Sequence, residues 1–197
     1  MRQSKYTKGL RPLLKKPFFT SLEAKKQGIP RQALGYFVKK GILMRTCPGV
    51  YRPFNYEPQV EFQWETLGLM AASISGGIIC LVSALCYYNL TDQIMREIWI
   101  AIPHDSHPPK RPNTRIIKMR NTKLGKTKIA LGEYQVHIFD RERCIVDAFR
   151  YLSKEIAIKA LKAYLRETNY RPNLQKLGGY ARLLKVDISP YILSCTT

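Results

Sequence analysis

Acidic residues are scarce in this chain, and they are almost missing from its first quarter. The 197 residues include 33 Lys and Arg against 14 Asp and Glu, which gives a formal net charge of +19. Residues 1–52 contain 13 basic residues and a single acid, Glu23, and therefore carry +12 of that charge. Such a local excess indicates a polyanionic partner, either a nucleic acid or an anionic membrane surface.

Several catalytic and targeting signals are also absent from the sequence. It contains no GxSxG motif, no Walker loop and no CxxC pair, and its five cysteines are scattered. Free thiols of this kind are typical of a reducing compartment. The basic N-terminus lacks the apolar stretch of a signal peptide. We therefore predict a cytoplasmic protein that is not an enzyme and that needs no cofactor and no metal.

One long stretch without charge raises the question of a membrane span. Residues 67–90 contain no charged side chain, and a spanning helix needs about 20 apolar residues. However, Gly76 and Gly77 interrupt this stretch, and no Lys or Arg flanks it closely enough to anchor it. We predict a helix, a break at the two glycines, and then a buried strand or turn that leads into a second helix, with no membrane contact.

Residues 19–52 have the pattern of a winged helix-turn-helix. Thr20 can cap a short helix that ends near Gly28, and Pro30 favours the start of a second helix. Gly41 ends this second helix, and a short hairpin with a Pro-Gly turn follows it. A compact basic unit of this form is typical of proteins that bind duplex DNA.

Basic and polar side chains are predicted on the outer face of the second helix, opposite Leu34 and Val38. A helix fits the DNA major groove, where Arg31 can donate to guanine and Gln32 can pair with adenine. Lysines beside it suit phosphates, which position a protein without reading sequence. The predicted DNA-binding residues are Lys25, Lys26, Arg31, Gln32, Gly35, Tyr36, Lys39, Lys40, Arg45, Tyr51 and Arg52. The alternative is a solvated helix face, which the near absence of balancing acids makes a weaker interpretation.

The remainder of the chain has a mixed α/β pattern, so the predicted fold class is α+β. We predict a basic lead-in at 1–18, the winged helix-turn-helix at 19–52, a Pro-bounded linker at 53–60 and an α/β effector domain at 61–197. Alternating residues predict strands at 97–102, 115–119, 127–131 and 134–139. Helices are predicted at 60–75, after N-caps at Ser83 and Asp140, and along the apolar stripes at 158–165 and 174–184.

A second group of basic residues lies between the predicted strands. No acid occurs between Asp105 and Glu133, whereas this interval contains Lys110, Arg111, Arg115, Lys118, Arg120, Lys123, Lys126 and Lys128. This run predicts a second basic surface for DNA, RNA or an acidic partner protein. Lysines that guard solvated strand edges against aggregation explain the run equally well.

Two acidic or histidine-containing groups suggest metal chemistry. His104, Asp105 and His107 lie in a Pro-rich loop without an evident third strong ligand, which favours an ordinary surface loop. Asp140, Glu142 and Asp147 suggest a metal-dependent nuclease directed by the winged helix, and this is the alternative function. Helix capping and an i, i+4 pair with Arg143 explain the same carboxylates without catalysis.

Motifs in a particular order resemble one family, the AbiEi-type antitoxins. They are TSLEAKKQGIPRQALGYFVKKGILMRTCPGVYR, then LVSALCYYNLTDQI, EIWIAIP, FDRERCIVDAFRYL and NLQKLGGYARLLKV. The resemblance implies a winged-helix DNA-binding domain followed by an α/β effector domain. It places the family's recognition positions on Arg31, Gln32, Tyr36 and Lys39, its wing on residues 45–52, and its C-terminal motifs on Ser83-Ala84-Leu85 and Glu142-Arg143 with Asp147.

The same resemblance implies a function in antiviral defence. Members of this family repress their own promoters, and they counteract a neighbouring nucleotidyltransferase-like toxin in abortive infection. The expected partners are therefore double-stranded promoter DNA and such a toxin. The pair Gly178-Gly179 departs from the family's pattern, which leaves a related regulator without a toxin partner as an alternative. An adaptor that uses the run from Lys110 to Lys128 to bind an acidic protein is a third hypothesis.

Overall fold

The computed structural model describes residues 6–196, and these divide into two compact units. The first unit extends to Ser75 and includes the separate segments 109–112 and 130–135. The second unit consists of residues 76–108, 113–129 and the chain from Val136 onward. The predicted limits at residues 18, 52 and 60 stay predictions, and the first five residues of the predicted lead-in lie outside the described part.

The first unit contains short helices around a small antiparallel sheet. Its helices are α1 (Thr7–Leu10), a 3₁₀ helix (Leu13–Lys15), α2 (Ser21–Lys26), α3 (Arg31–Lys39) and α4 (Phe62–Ser73). Its strands are β1 (Phe19–Thr20), β2 (Leu43–Cys47) and β3 (Val50–Pro53), arranged in the order β1-β3-β2. The order of elements from α2 to β3 is that of a helix-turn-helix followed by a hairpin, as predicted.

Local chemistry explains why α2 and α3 begin and end where they do. The Thr20 hydroxyl accepts from the Glu23 amide at 3.2 Å, and the Glu23 carboxylate accepts from the Thr20 amide at 2.8 Å, which completes a capping box. Gly28 has φ of +74° and Gly41 has φ of +66°, a left-handed conformation that glycine adopts without strain. The chain can therefore turn sharply after each helix.

The core of the first unit combines the helix-turn-helix with residues that precede it. Phe19, Leu34 and Leu43 are almost fully buried in one cluster, and so are Leu10 and Leu13 from the predicted lead-in. Burying a Leu or Phe side chain contributes roughly 1.5–3 kcal/mol relative to leaving it exposed. The lead-in is therefore part of the packed unit in residues 10–13, which the basic composition of this segment did not indicate.

A mixed five-stranded sheet dominates the rest of the chain. Its strands are β4 (Ile78–Ile79), β5 (Ile98–Pro103), β6 (Thr114–Met119), β7 (Lys126–Leu131) and β8 (Tyr134–Phe139), in the order β6-β5-β4-β8-β7. β5 and β6 are parallel, β4 and β8 are parallel, and β4 runs antiparallel to β5. The tip of the hairpin formed by β7 and β8 is the part that belongs to the first unit.

Helices complete the second unit, and the α+β class is confirmed. They are α5 (Leu81–Tyr87), α6 (Arg141–Tyr151), α7 (Lys154–Arg166), α8 (Leu174–Leu183) and α9 (Ser189–Thr196). Asp140 caps α6 as predicted, because its carboxylate accepts from the Arg143 amide at 2.9 Å. Within residues 6–196, no helix has the length and the apolar character needed to cross a membrane.

Two elements of the second unit differ from the sequence prediction. Ser83 does not cap a helix, because α5 already begins at Leu81 and Ser83 lies inside it. The buried Ser83 hydroxyl instead accepts from the Trp99 amide at 2.9 Å, which ties α5 to the start of β5. The helix at the Leu174 stripe is also not the last helix, since α9 follows it and begins at Ser189.

Candidate nucleic-acid interface

The outer face of α3 is exposed as the sequence predicted. Leu34 and Phe37 retain 0% and 3% of their accessible surface, so the inner face is fixed in the core. The residues predicted to contact DNA lie on the other side and are exposed, with Tyr36 retaining 51%. They are Arg31, Gln32, Gly35, Tyr36, Lys39 and Lys40. The helix can therefore present these side chains to a groove without any rearrangement of its core.

Acidic neighbours do not neutralise this face. Glu23, the single acid of residues 1–52, pairs with Lys16 at 2.7 Å and takes part in the capping box of α2. Burial tends to raise the pKa of Glu23, but hydrogen bonds from Lys16 and Thr20 outweigh this effect and leave it lowered. Among residues 6–196, no carboxylate forms an ion pair with Lys25, Lys26, Arg31, Lys39, Lys40 or Arg45.

The hairpin of β2 and β3, with its Pro48-Gly49 turn, is named the wing here. Arg45 is exposed on β2 and fits its predicted position at a DNA backbone. Tyr51 lies in the core with 4% exposure, and its ring stacks on Phe19 with centroids 6.0 Å apart. Because Tyr51 faces inward, we remove it from the predicted interface.

Arg52 also does not face outward, although the sequence predicted that it contacts DNA. Its side chain is only 12% exposed and forms an ion pair with the buried Glu65 of α4. The Arg52 guanidinium donates to the Tyr134 hydroxyl at 2.8 Å and stacks over the Tyr56 ring at 4.5 Å. Arg52 therefore anchors β3 inside the first unit, and we remove it from the predicted interface.

Sequence reasoning could not find this anchor, because its partners are distant along the chain. Glu65 lies 13 residues and Tyr134 lies 82 residues from Arg52. The Tyr134 hydroxyl donates to the Glu65 carboxylate at 2.5 Å. Burial and this hydrogen bond to Glu65 raise the pKa of Tyr134, so the phenol remains a neutral donor. One available signal was that an apolar helix, α4, carries the isolated acid Glu65.

The eight residues of the predicted second basic surface are divided between the two compact units. Lys110 and Arg111 belong to the first unit, and the other six belong to the second. Arg115 and Lys118 lie on β6, whereas Lys126 and Lys128 lie on β7, and β6 and β7 are the two opposite edges of the sheet. Arg120 and Lys123 lie in the connection between them. Exposed basic side chains on both edge strands fit the guarding role better than a single binding surface.

Two arginines of this group have structural partners. Arg115 pairs with Glu97 at 3.4 Å and stacks over the Trp99 ring at 4.4 Å. Within the described residues, Arg111 donates to neutral oxygens only: the Ser73 carbonyl and hydroxyl, the Pro48 carbonyl and the Lys110 carbonyl. The run of basic residues in the sequence gave no sign of either arrangement.

Two of the three carboxylates that suggested a nuclease, Glu142 and Asp147, are buried and hydrogen-bonded. Asp147 accepts from Arg143 at 2.7 Å and from Arg150 at 2.8 Å, so the predicted i, i+4 pair is present. Glu142 retains none of its accessible surface and accepts from the Tyr164 and Tyr170 hydroxyls at 2.7 and 2.8 Å. Both hydroxyls bond to the same oxygen, Glu142 Oε1, and the pairs at Asp147 agree with the capping and ion-pairing interpretation of these carboxylates.

Asp140 and Lys176 extend this polar cluster on α6 and α8. The Lys176 ammonium lies 3.0 Å from both the Asp140 and the Glu142 carboxylates. Burial tends to lower the pKa of Lys176, but the hydrogen bonds to Glu142 and Asp140 raise it overall. Burial and the Asp140 charge raise the pKa of Tyr180 to about 12. The cluster therefore holds three helices together through charges and hydrogen bonds.

The Glu142→Gln variant should lose stability in a way that depends on pH. Burial raises the pKa of Glu142, but hydrogen bonds from Tyr164, Lys176 and Tyr170 leave it below its ordinary value of 4.5. A lowered folded pKa stabilises the protein above the unfolded pKa, and this contribution disappears as the pH falls through the folded pKa. We expect the free energy of unfolding of the wild type to exceed that of the variant by roughly 1–3 kcal/mol at pH 7. The difference should be smaller at pH 3.

Urea unfolding at a series of pH values measures this difference. Glu155→Gln is a suitable control, because Glu155 is 76% exposed and its ion pair is with Lys159 on its own helix. The control should stay close to wild type throughout. A difference for Glu142→Gln that is constant from pH 7 to pH 3 would contradict the prediction.

The histidine-containing loop shows no sign of a metal centre. His104, Asp105 and His107 are exposed. In the part of the chain that the structure describes, no group of three or more His, Cys, Asp or Glu side chains is close enough to hold a metal ion.

Comparison with known proteins supports the interpretation of the basic unit. Residues 11–53 match the family model described as "Transcriptional regulator, AbiEi antitoxin". The predicted resemblance to AbiEi-type antitoxins is therefore confirmed for this segment, which contains α2, α3 and both strands of the wing. The family match supports a DNA-binding regulator or antitoxin. No match was found among curated proteins.

A solved structure with a similar fold is the crystal structure of the RV2827C protein from Mycobacterium tuberculosis. The two chains are 10% identical and superpose with a TM-score of 0.55, covering 91% of this chain and 73% of that one. At this identity the likeness concerns the fold alone. It shows that the combination of elements described above also occurs in an experimentally determined protein.

Proposed function

We propose that this protein is a DNA-binding transcriptional repressor that acts through α3 and the wing. The observation that carries the proposal is the exposed basic face of α3, which no carboxylate of residues 6–196 neutralises. The match of residues 11–53 to antitoxin transcriptional regulators supports the same conclusion.

The chemistry of α3 fits the major groove. Arg31 can donate two hydrogen bonds to the acceptors of guanine, and Gln32 can pair with both groups of the adenine edge. A Cβ added at Gly35 would meet no other atom within 4 Å, so no packing inside the protein requires glycine there. A mid-helix glycine costs roughly 1 kcal/mol relative to alanine. A glycine at this position would allow the backbone of α3 to approach the base edges of DNA closely, and this explains why a glycine occurs there despite its cost.

The remaining basic residues fit the DNA backbone. Lys25 and Lys26 end α2, Lys39 and Lys40 end α3, and Arg45 lies on the wing. Each is exposed. Lysine and arginine contacts to phosphates position a protein and supply salt-dependent affinity without reading the bases. The proposed interface is therefore Lys25, Lys26, Arg31, Gln32, Gly35, Tyr36, Lys39, Lys40 and Arg45.

We further propose that the protein is the antitoxin of an abortive-infection pair. It would bind its own promoter and counteract a nucleotidyltransferase-like toxin. The support is the family description of the segment 11–53. The reading frame beside its gene tests the toxin partner: a nucleotidyltransferase-like product there supports the antitoxin role, and co-purification of the two proteins checks it directly.

Gel-shift titration on the upstream region of its own gene tests repression. We expect specific binding that weakens roughly 10²–10³-fold between 50 and 200 mM salt, as about five phosphate contacts would require. A scrambled fragment of equal length should bind more weakly at every salt concentration. Equal binding to both fragments would contradict specific repression, even if the salt dependence were steep. Cleavage of either fragment with Mg²⁺ or Mn²⁺ would instead favour the nuclease alternative.

A further inference from the structure

The Pro48-Gly49 turn of the wing is held from two sides. On one side, the Gly49 carbonyl accepts from the Ser21 amide at the start of α2, at 2.8 Å. On the other side, the Pro48 carbonyl accepts from the Arg111 guanidinium at 3.2 Å. Gly49 has φ of +78°, so the turn has a tight, defined conformation. Arg111 comes from a distant part of the chain but belongs to the same compact unit.

Arg111 is itself fixed by α4. Its Nε donates to the Ser73 hydroxyl at 3.0 Å, and its Nη2 donates to the Ser73 carbonyl at 3.1 Å. Its Nη1 donates to two carbonyls: that of Pro48, at 3.2 Å, and that of the preceding residue Lys110, at 3.0 Å. The planar guanidinium therefore bridges the last residue of α4 and the turn of the wing. A lysine ammonium could not reproduce this fork geometry.

No acid pairs with Arg111 among residues 6–196, since the oxygens it contacts are neutral. Burial raises the pKa of the Cys47 thiol beside the turn, and the charges of Arg111 and Arg45 oppose this rise. Arg111 therefore acts near the wing both as a geometric support and as a positive charge, and these two actions can be separated experimentally.

We propose that Arg111 is a positioning residue for nucleic-acid binding, which holds the wing turn against α4 so that Arg45 is presented to the DNA backbone. This inference rests on the proposed function. It assigns Arg111 a role different from direct contact with a polyanion, and it makes the segment 109–112 part of the DNA-binding apparatus.

Two variants separate the hydrogen-bonding geometry of Arg111 from its charge. Arg111→Ala removes both the guanidinium hydrogen bonds and the charge. Arg111→Lys keeps the charge but cannot form the forked hydrogen bonds. We expect both variants to bind the specific fragment roughly tenfold more weakly at each salt concentration. We expect the slope of log affinity against log salt to stay unchanged. A direct phosphate contact predicts another result: Arg111→Lys keeps most of the affinity, and Arg111→Ala lowers the slope by about 0.9. That result would overturn the positioning role.

Lys162→Ala is the control for loss of one positive charge. Lys162 is exposed on α7 and is not part of the proposed interface. The control should bind like wild type. If it weakened binding as much as Arg111→Ala does, simple loss of net charge would explain the effect and the inference would fail.

Amide hydrogen exchange of the free protein tests the support of the wing without DNA. In both Arg111 variants, the amides of Cys47, Gly49 and Val50 should exchange roughly tenfold faster, whereas amides of α3 should be unchanged. Unchanged exchange in the wing would overturn the inference even if wild type binds DNA. Conversely, a wild-type protein that binds no specific fragment would overturn the proposed function, and the exchange result would still show whether Arg111 holds the wing.

Discussion

The double variant Arg31→Ala, Tyr36→Ala should lose its preference for the specific DNA site while remaining folded. Both side chains lie on the outer face of α3, and neither takes part in the core. A well-placed hydrogen-bonding pair with a base contributes about 1–3 kcal/mol of discrimination. Removing both side chains should therefore reduce the ratio of specific to non-specific affinity by roughly 100-fold.

Competition gel shifts with specific and scrambled fragments measure this ratio. The matched control is Lys25→Ala, Lys26→Ala, which removes two exposed cations at the end of α2. This control should weaken binding to every sequence and lower the salt slope by about 1 for each lysine that binds a phosphate in the wild type. Thermal unfolding should change little for either variant, since exposed substitutions usually fall within about 0.5 kcal/mol. An unchanged site preference in the first variant would show that α3 does not read the bases.

The Arg143→Ala variant should destabilise the second unit severely. Arg143 has no exposed surface, pairs with the buried Asp147 at 2.7 Å, and stacks over the Phe139 ring at 4.5 Å. Its Nη1 also donates to the Asn121 and Leu124 carbonyls at 2.9 and 3.0 Å. Removing one partner of a buried ion pair costs about 3–5 kcal/mol, because the other charge stays buried.

Urea unfolding followed by circular dichroism measures this loss. The control is Arg150→Ala, since Arg150 also pairs with Asp147 but is 29% exposed. The control leaves the Arg143 pair intact, so we expect a loss of about 0–1 kcal/mol. Equal losses for the two variants would contradict the prediction, because the two arginines share one carboxylate but only Arg143 is fully buried and also donates to two backbone carbonyls.

Local patterns predicted most of the fold. The capping box at Thr20, the glycines that end α2 and α3, and the alternation in β5 to β8 act over a few residues, so they can be read directly along the chain. Short elements were missed for the same reason: β1 has only two residues and carries no period. Ser83 was misassigned because a serine before an apolar run resembles an N-cap, whereas here its hydroxyl bonds to a different strand.

In the candidate site, too, local patterns predicted some features and tertiary contacts decided the others. The outer face of α3 follows from helical periodicity, since Leu34 and Phe37 fix which side is buried and therefore which side is exposed. The wing does not follow from periodicity alone. Arg45 and Arg52 look alike in sequence, yet Arg45 is exposed and Arg52 pairs with Glu65. No local signal distinguishes them, because the distinguishing acid lies on another helix.

The sequence by itself determined the basic character of the N-terminal unit, its helix-turn-helix and the direction in which α3 faces, because these depend on composition and on neighbours three or four residues apart. Only the tertiary structure decided the role of each charge. Arg52 and Arg111 proved to be internal supports, and the run from Lys110 to Lys128 proved to be divided between the two compact units and, in the second unit, between two edge strands and their connection. The physical reason is that the effect of a charged side chain depends on which groups lie within a few ångströms of it. In these cases, those groups come from distant parts of the chain.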